Sequence, residues 1–181
     1  MHLRRERGFT LMEALVVVAI GLIITAVSIP VFTSSLNTYK LQSAVTNVTG
    51  LIKATRFQAM SSGYPYQIVF TSSTASYQLK QNTVLDTATG TFDETGTNNF
   101  KNLTTPGNSG TVSGTSTVIT LNQNVTLEFS PSGAVKYVAP AATSPTSCSN
   151  AGTNCQLILT YGTIPTKTIT VNGYGNVTVT P

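Results

Sequence analysis

Residues 9–29 read FTLMEALVVVAIGLIITAVSI, an apolar run interrupted by a single charge, Glu13. As a helix at about 1.5 Å per residue this run spans roughly 30 Å, the thickness of a bilayer's hydrocarbon core. Arg4, Arg5 and Arg7 precede it, which places the N-terminus on the cytoplasmic side and everything after Pro30 on the opposite side. A cleavable secretory signal has a shorter apolar core followed by a small-residue site, and no clear site of that kind follows here. A plain single-pass anchor accounts for every residue but Glu13. A carboxylate inside an apolar helix costs up to about 3 kcal/mol at depth, so it marks a functional site whose partner lies elsewhere.

Working outward, the apolar residues continue past Pro30 at helical spacing: Phe32, Leu36, Leu41, Val45, Val48, Ile52, Ala59 and Met60. Lys40, Lys53 and Arg56 fall among the polar positions. The pattern predicts an amphipathic continuation of the same helix, kinked or loosened at Pro30 and ending at Ser61-Ser62-Gly63. The apolar stripe should pack against the domain that follows.

From Tyr64 the pattern switches to period two. Strands are expected at 66–71, 76–80, 118–121, 125–129, 134–138, 156–161, 168–171 and 176–180, dominated by Val, Ile, Thr and Tyr. Ser130-Pro131-Ser132-Gly133 suits a type I turn, and Asn172-Gly173 opens a tight connection between the last two strands. Residues 83–114 are polar and poor in apolar anchors, and they read as a surface loop or ragged hairpin. The fold expected is α+β: one long N-terminal helix, transmembrane in its first half and amphipathic in its second, packed on a C-terminal antiparallel β domain of sandwich type.

Composition agrees with a chain that divides its residues between lipid and a hydroxyl-rich β domain. Charged residues make up 9% of the sequence, against about 25% in a typical soluble domain. Part of the net charge of +4 sits in the first eight residues, and no basic run occurs elsewhere, so the footprint of a nucleic-acid binder is missing. Cys148 and Cys155 enclose a short polar loop. A zinc site would need more ligands, and the single histidine, His2, is far away in sequence. A structural disulfide is favoured over free thiols, and with it an oxidising compartment.

The segment RGFTLMEALVVVAIGLIITAVSIP resembles the N-terminal signal of type IV pilins and type II secretion pseudopilins. Those precursors carry a basic leader ending in Gly, then Phe-Thr-Leu, a Glu as fifth residue of the mature chain, and an apolar helix. On that resemblance residues 1–8 are a leader, removed by a prepilin peptidase between Gly8 and Phe9, and the Phe9 amine is methylated. The apolar helix stays on the mature protein and Pro30 holds a position where family members place a proline. The resemblance also implies a partner for Glu13: the N-terminal amine of a neighbouring subunit, since two charges costly in an apolar bundle are tolerable as a pair. Its implied partners are therefore the peptidase, other pilins or pseudopilins, the inner membrane, and the assembly platform of a pilus or secretion machine. The divisions implied are 1–8, a membrane part 9–29, an amphipathic part 30–62, and an extracytoplasmic β domain 63–181. The stretch from Leu127 to Gly133, with the last two strands, is similar to minor subunits called H-type pseudopilins and FimT-like pilins.

Enzymatic chemistry finds no set of residues. Removal of the leader takes away the only imidazole. Of the remaining acids, Asp86, Asp93 and Glu94 sit in the polar loop, Glu128 in a strand and Glu13 in the apolar helix. No cofactor motif appears. The alternative reading is a DNA receptor: some FimT-like pilins carry Gly-Arg-X-Arg near the C-terminus. Here the corresponding stretch is Gly175-Asn176-Val177-Thr178, without either arginine, and Lys136 and Lys167 alone make a poor phosphate track. Nucleic acid is therefore not an expected partner.

Overall fold

The computed structural model describes residues 9–85, 92, 99–105, 107–112, 119–139, 145–148, 155–162 and 164–181. A single helix, α1 (Leu11–Ser62), is followed by eleven strands: β1 (Tyr66–Thr71), β2 (Ser76–Asn82), β3 (Phe100–Asn102), β4 (Ser109–Thr111), β5 (Ile119–Leu121), β6 (Val125–Phe129), β7 (Val135–Val138), β8 (Thr146–Ser147), β9 (Gln156–Tyr161), β10 (Ile164–Val171) and β11 (Val177–Thr180). The chain divides into two compact units, the first ending at Thr38 and the second running Tyr39–Pro181.

In the first unit the helix carries a window with mean hydropathy 2.8, none of it buried. Most of its hydroxyls bond back to the helix itself. Thr25 donates to the Gly21 carbonyl at 2.7 Å, and Ser28 to that of Ile24 at 2.8 Å. Beyond Pro30, Thr33 donates to the Pro30 carbonyl at 2.9 Å and Ser35 to that of Val31 at 3.0 Å. Such back-bonding removes polar groups that lipid could not solvate. Pro30 lies inside the helix without ending it.

In the second unit the helix becomes one-sided. Leu41, Ala44, Val45, Val48, Ile52, Thr55 and Ala59 are buried, spaced three or four residues apart along most of the stripe. Met60, expected in that stripe, is 41% exposed, and Phe32 and Leu36, also expected in it, are 66% and 42% exposed. Gly63 closes the helix: at φ 74° its N–H reaches the Ala59 carbonyl at 3.1 Å.

The strands form two antiparallel sheets. The larger runs β3-β2-β1-β6-β7-β8, with β4 also on β2, and the smaller runs β11-β10-β9-β5. The helix stripe and the inner residues of both sheets share one core, including Ile68, Phe70, Leu127 and Phe129 from the larger sheet and Leu157, Leu159, Ile169 and Val171 from the smaller. Period two explains the selection: β9 alternates half-buried and buried along its length.

The structure corrects the sequence reading in three places. The stretch 83–114 contributes two strands where a loop or ragged hairpin was expected: β3 and β4 divide the outer edge of β2, pairing with its C-terminal and N-terminal halves. Its anchors are Phe100 and Val112, 6% and 1% exposed, too widely spaced to register as a periodic pattern. The acids Asp86, Asp93 and Glu94, and Val118 of an expected strand, lie outside the described residues. Strand β10 begins at Ile164, with a register shift between Ile164 and Lys167 that accommodates Pro165. The last connection spans residues 172–176, one residue longer than expected. The Asn172 side chain accepts from the N–H groups of Tyr174 and Asn176 at 3.0 and 2.9 Å, and Gly175 takes φ 76°.

Cys148 and Cys155 are joined, with Cα atoms 5.8 Å apart. Cys148 follows β8 of the larger sheet and Cys155 precedes β9 of the smaller, so the bond ties the sheets where the chain crosses between them. Replacing both cysteines by serine in the full chain should lower stability by about 2–3 kcal/mol, the loop-entropy value for so short a loop. A urea midpoint unchanged from wild type would contradict that role.

Candidate functional site

The N-terminal end of α1 is built by local capping. The Glu13 N–H approaches the Thr10 hydroxyl at 3.3 Å and the Thr10 carbonyl at 3.1 Å, so Thr10 serves as the N-cap and Glu13 stands three residues in. Thr-X-X-Glu is the spacing of a capping box, and an acid in the first turn also faces the positive end of the helix dipole. Among the described residues the Glu13 carboxylate makes no hydrogen bond or ion pair. Phe9 is 73% exposed immediately before the helix, while Gly8 lies outside the described residues. The sequence thus delivers an aromatic N-terminal neighbour and an unpaired carboxylate to one end of a helix that is otherwise apolar for about five turns.

A second constellation went unrecognised in the sequence. Arg56, half-buried on α1, donates Nε–H to the Gly133 carbonyl at 2.9 Å. Gly133 takes φ 84° in the turn between β6 and β7, and a Cβ there would meet Met60 Sδ at 2.9 Å. A Cβ on Gly175, in the β10–β11 connection, would collide with the Arg56 side chain. One guanidinium therefore sits between turns from both sheets, and each turn needs glycine for conformation and for space. On the other side of the same turns, the Val135 N–H donates to the Gly173 carbonyl at 2.9 Å and the Cys148 N–H to the Val135 carbonyl at 3.3 Å. The available signal was composition: Arg56 is the only arginine beyond Arg7.

The buried acid is Glu128, fully enclosed on β6. Gln67 Nε2 donates to it at 2.8 Å from β1, and Lys136 stands directly opposite on β7. The row continues to Lys80, opposite Gln67 on β2. Lys136 lies on β7 of the larger sheet and Lys167 on β10 of the smaller. Among the described residues no group of three or more His, Cys, Asp or Glu side chains is placed to hold a metal ion.

Comparison with known proteins decides the N-terminus. Residues 3–29 match the family model for the prokaryotic N-terminal methylation motif. The matched segment covers Gly8, Phe9 and Glu13, and together with the long apolar helix it fits anchoring in an inner membrane. One solved structure is similar: the minor pseudopilin EpsH from the type 2 secretion system of Vibrio cholerae, at 13% identity and TM-score 0.49, covering 78% of this chain and 96% of that chain. No curated protein matches significantly.

The Arg56 node yields a double-mutant test. Gly175→Ala should destabilise the full chain by roughly 1–3 kcal/mol, combining left-handed strain with the collision. In an Arg56→Ala background the cost should shrink toward the strain alone. Equal costs in both backgrounds would show that Arg56 does not occupy that space.

Proposed function

We propose that the chain is the precursor of a structural filament subunit, a minor pilin or pseudopilin of a type IV pilus or type II secretion pseudopilus, with a mechanical and not a catalytic role. The single observation that carries this reading is the match of residues 3–29 to the methylation motif, with Glu13 left without a partner in a helix suited to lipid. On this reading a prepilin peptidase cuts between Gly8 and Phe9 and methylates the new amine. Residues 9–29 hold the subunit in the inner membrane, Pro30 loosens the helix as it passes from lipid into the filament, and residues 30–62 carry the domain 63–181 on the extracytoplasmic side. The disulfide supports that placement, because such bonds persist in oxidising compartments.

The role of Glu13 follows from electrostatics. In lipid the carboxylate and a neighbour's terminal amine are each costly, and side by side in a helix bundle they neutralise one another. Association through this pair aligns each incoming helix against one already in place. That supports a part in filament initiation and assembly, with other pilins and an assembly platform as partners.

Glu13→Leu tests the assignment without removing the membrane helix. The variant should reach wild-type levels in membranes of cells carrying an assembly machine. Its amount in filaments sheared from those cells should fall about tenfold or more, which a lost contribution of roughly 1.4 kcal/mol already produces. Wild-type protein missing from sheared filaments, or a variant incorporated as well as wild type, would overturn the reading.

A further inference from the structure

Among the described residues the four-stranded sheet ends in two unpaired edges, β11 and β5. Edge strands in monomeric proteins are ordinarily blunted by charge, proline or a bulge, because an open edge invites another chain. Neither strand carries a charge: β11 is Val-Thr-Val-Thr, bounded by Pro181, and β5 is Ile-Thr-Leu, so what limits these edges is their shortness. Strand β11 is also poorly covered on its inner side. Val177 and Val179 pair with Val171 and Ile169, both fully buried, yet Val179 is 43% exposed. It borders an open groove of about 320 Å³ against α1, lined also by Val45, Thr49 and Lys53, in which the Thr49 hydroxyl is buried without a partner.

Strand direction selects the occupant. All three pairings in this sheet are antiparallel, so its four strands alternate and β11 runs opposite to β5. When two copies sit side by side in the same orientation, β11 of one meets β5 of the next as an antiparallel neighbour. No two-fold axis is needed, and the repeat does not close, which is the symmetry of a polar filament. One register satisfies both faces. Ile119 opposite Val179 and Leu121 opposite Val177 keep the aliphatic residues on the inner face, since Ile119 and Leu121 pair with the inner residues Tyr161 and Leu159. The same register sets Thr120 against Thr178 on the outer face, where both are exposed. Aliphatic and Thr–Thr cross-strand pairs of this kind stabilise antiparallel sheets.

We propose that β11 of one copy pairs with β5 of a second copy, so that the four-stranded sheet continues from subunit to subunit. This deepens the filament reading and rests on it. The test uses full-length chains bearing Thr120→Cys or Thr178→Cys, co-expressed in cells with the assembly machine. Oxidised membranes and sheared filaments are then run without reductant, each variant alone serving as control. A dimer that needs both variants, and that weakens when Val179→Lys is added to the Thr178→Cys chain, is the expected result. Filaments containing both variants without that dimer would overturn the edge contact and leave the filament reading intact. Equal dimer from Thr178→Cys alone would also overturn it, since it would mean two-fold pairing. A specific dimer confined to membranes would uphold the contact and count against filament assembly.

Discussion

The whole structure depends on one helix meeting two different solvents. Backbone groups in lipid must be satisfied internally, which a helix does by itself, and side-chain hydroxyls must follow. In α1 Thr25 and Ser28 do so by bonding to carbonyls four residues earlier, and Thr33, Ser35 and Thr38 make the same kind of bond beyond Pro30. Past Tyr39 the same helix gains a single buried stripe, and Leu41, Val45, Val48 and Ile52 become part of the core. In the membrane part no side narrows to a buried stripe, so the association of that part depends on packing and on its one charge. Glu13 is the one charge in that segment, and on the proposed reading it gives each helix a specific orientation toward a neighbour.

The β domain is held at the junction between its sheets. The disulfide, the Val135–Gly173 backbone hydrogen bond and the Arg56 side chain all act within the turns 130–135 and 172–176 and the crossover between β8 and β9. Each reaches a different element, so loss of one leaves the others in place. The arginine ties the sheets to the helix, whereas the disulfide ties them to each other. A chain with so few charges uses its one late arginine for backbone contact and not for surface electrostatics.

Legibility followed periodicity. The apolar run 9–29 and the spacing from Leu41 to Ala59 are strong patterns, and strands such as β1, β6 and β9 are continuous runs of five or six residues rich in aliphatic and aromatic side chains. The elements missed are short or irregular: β3, β4 and β8 have two or three residues, and β10 begins with a proline-bearing bulge. Phe100 and Val112 anchor their stretch through long-range pairing, which a local pattern does not reveal. The N-terminal methylation motif was readable because the basic residues, the acid and the apolar run are contiguous. Arg56 was not, since its partners Gly133 and Gly175 are distant in sequence and meet only after both sheets form.

A helix retained on the mature protein, with a methylated N-terminal amine at Phe9 and a carboxylate at Glu13, is the central claim. The most direct measurement is intact mass and N-terminal sequencing of the chain co-expressed with a prepilin peptidase, beside a Gly8→Asp control. A mature chain beginning at methylated Phe9, with the control uncut, is the expected result. A chain left whole despite active peptidase, or cut after the apolar run, would contradict it.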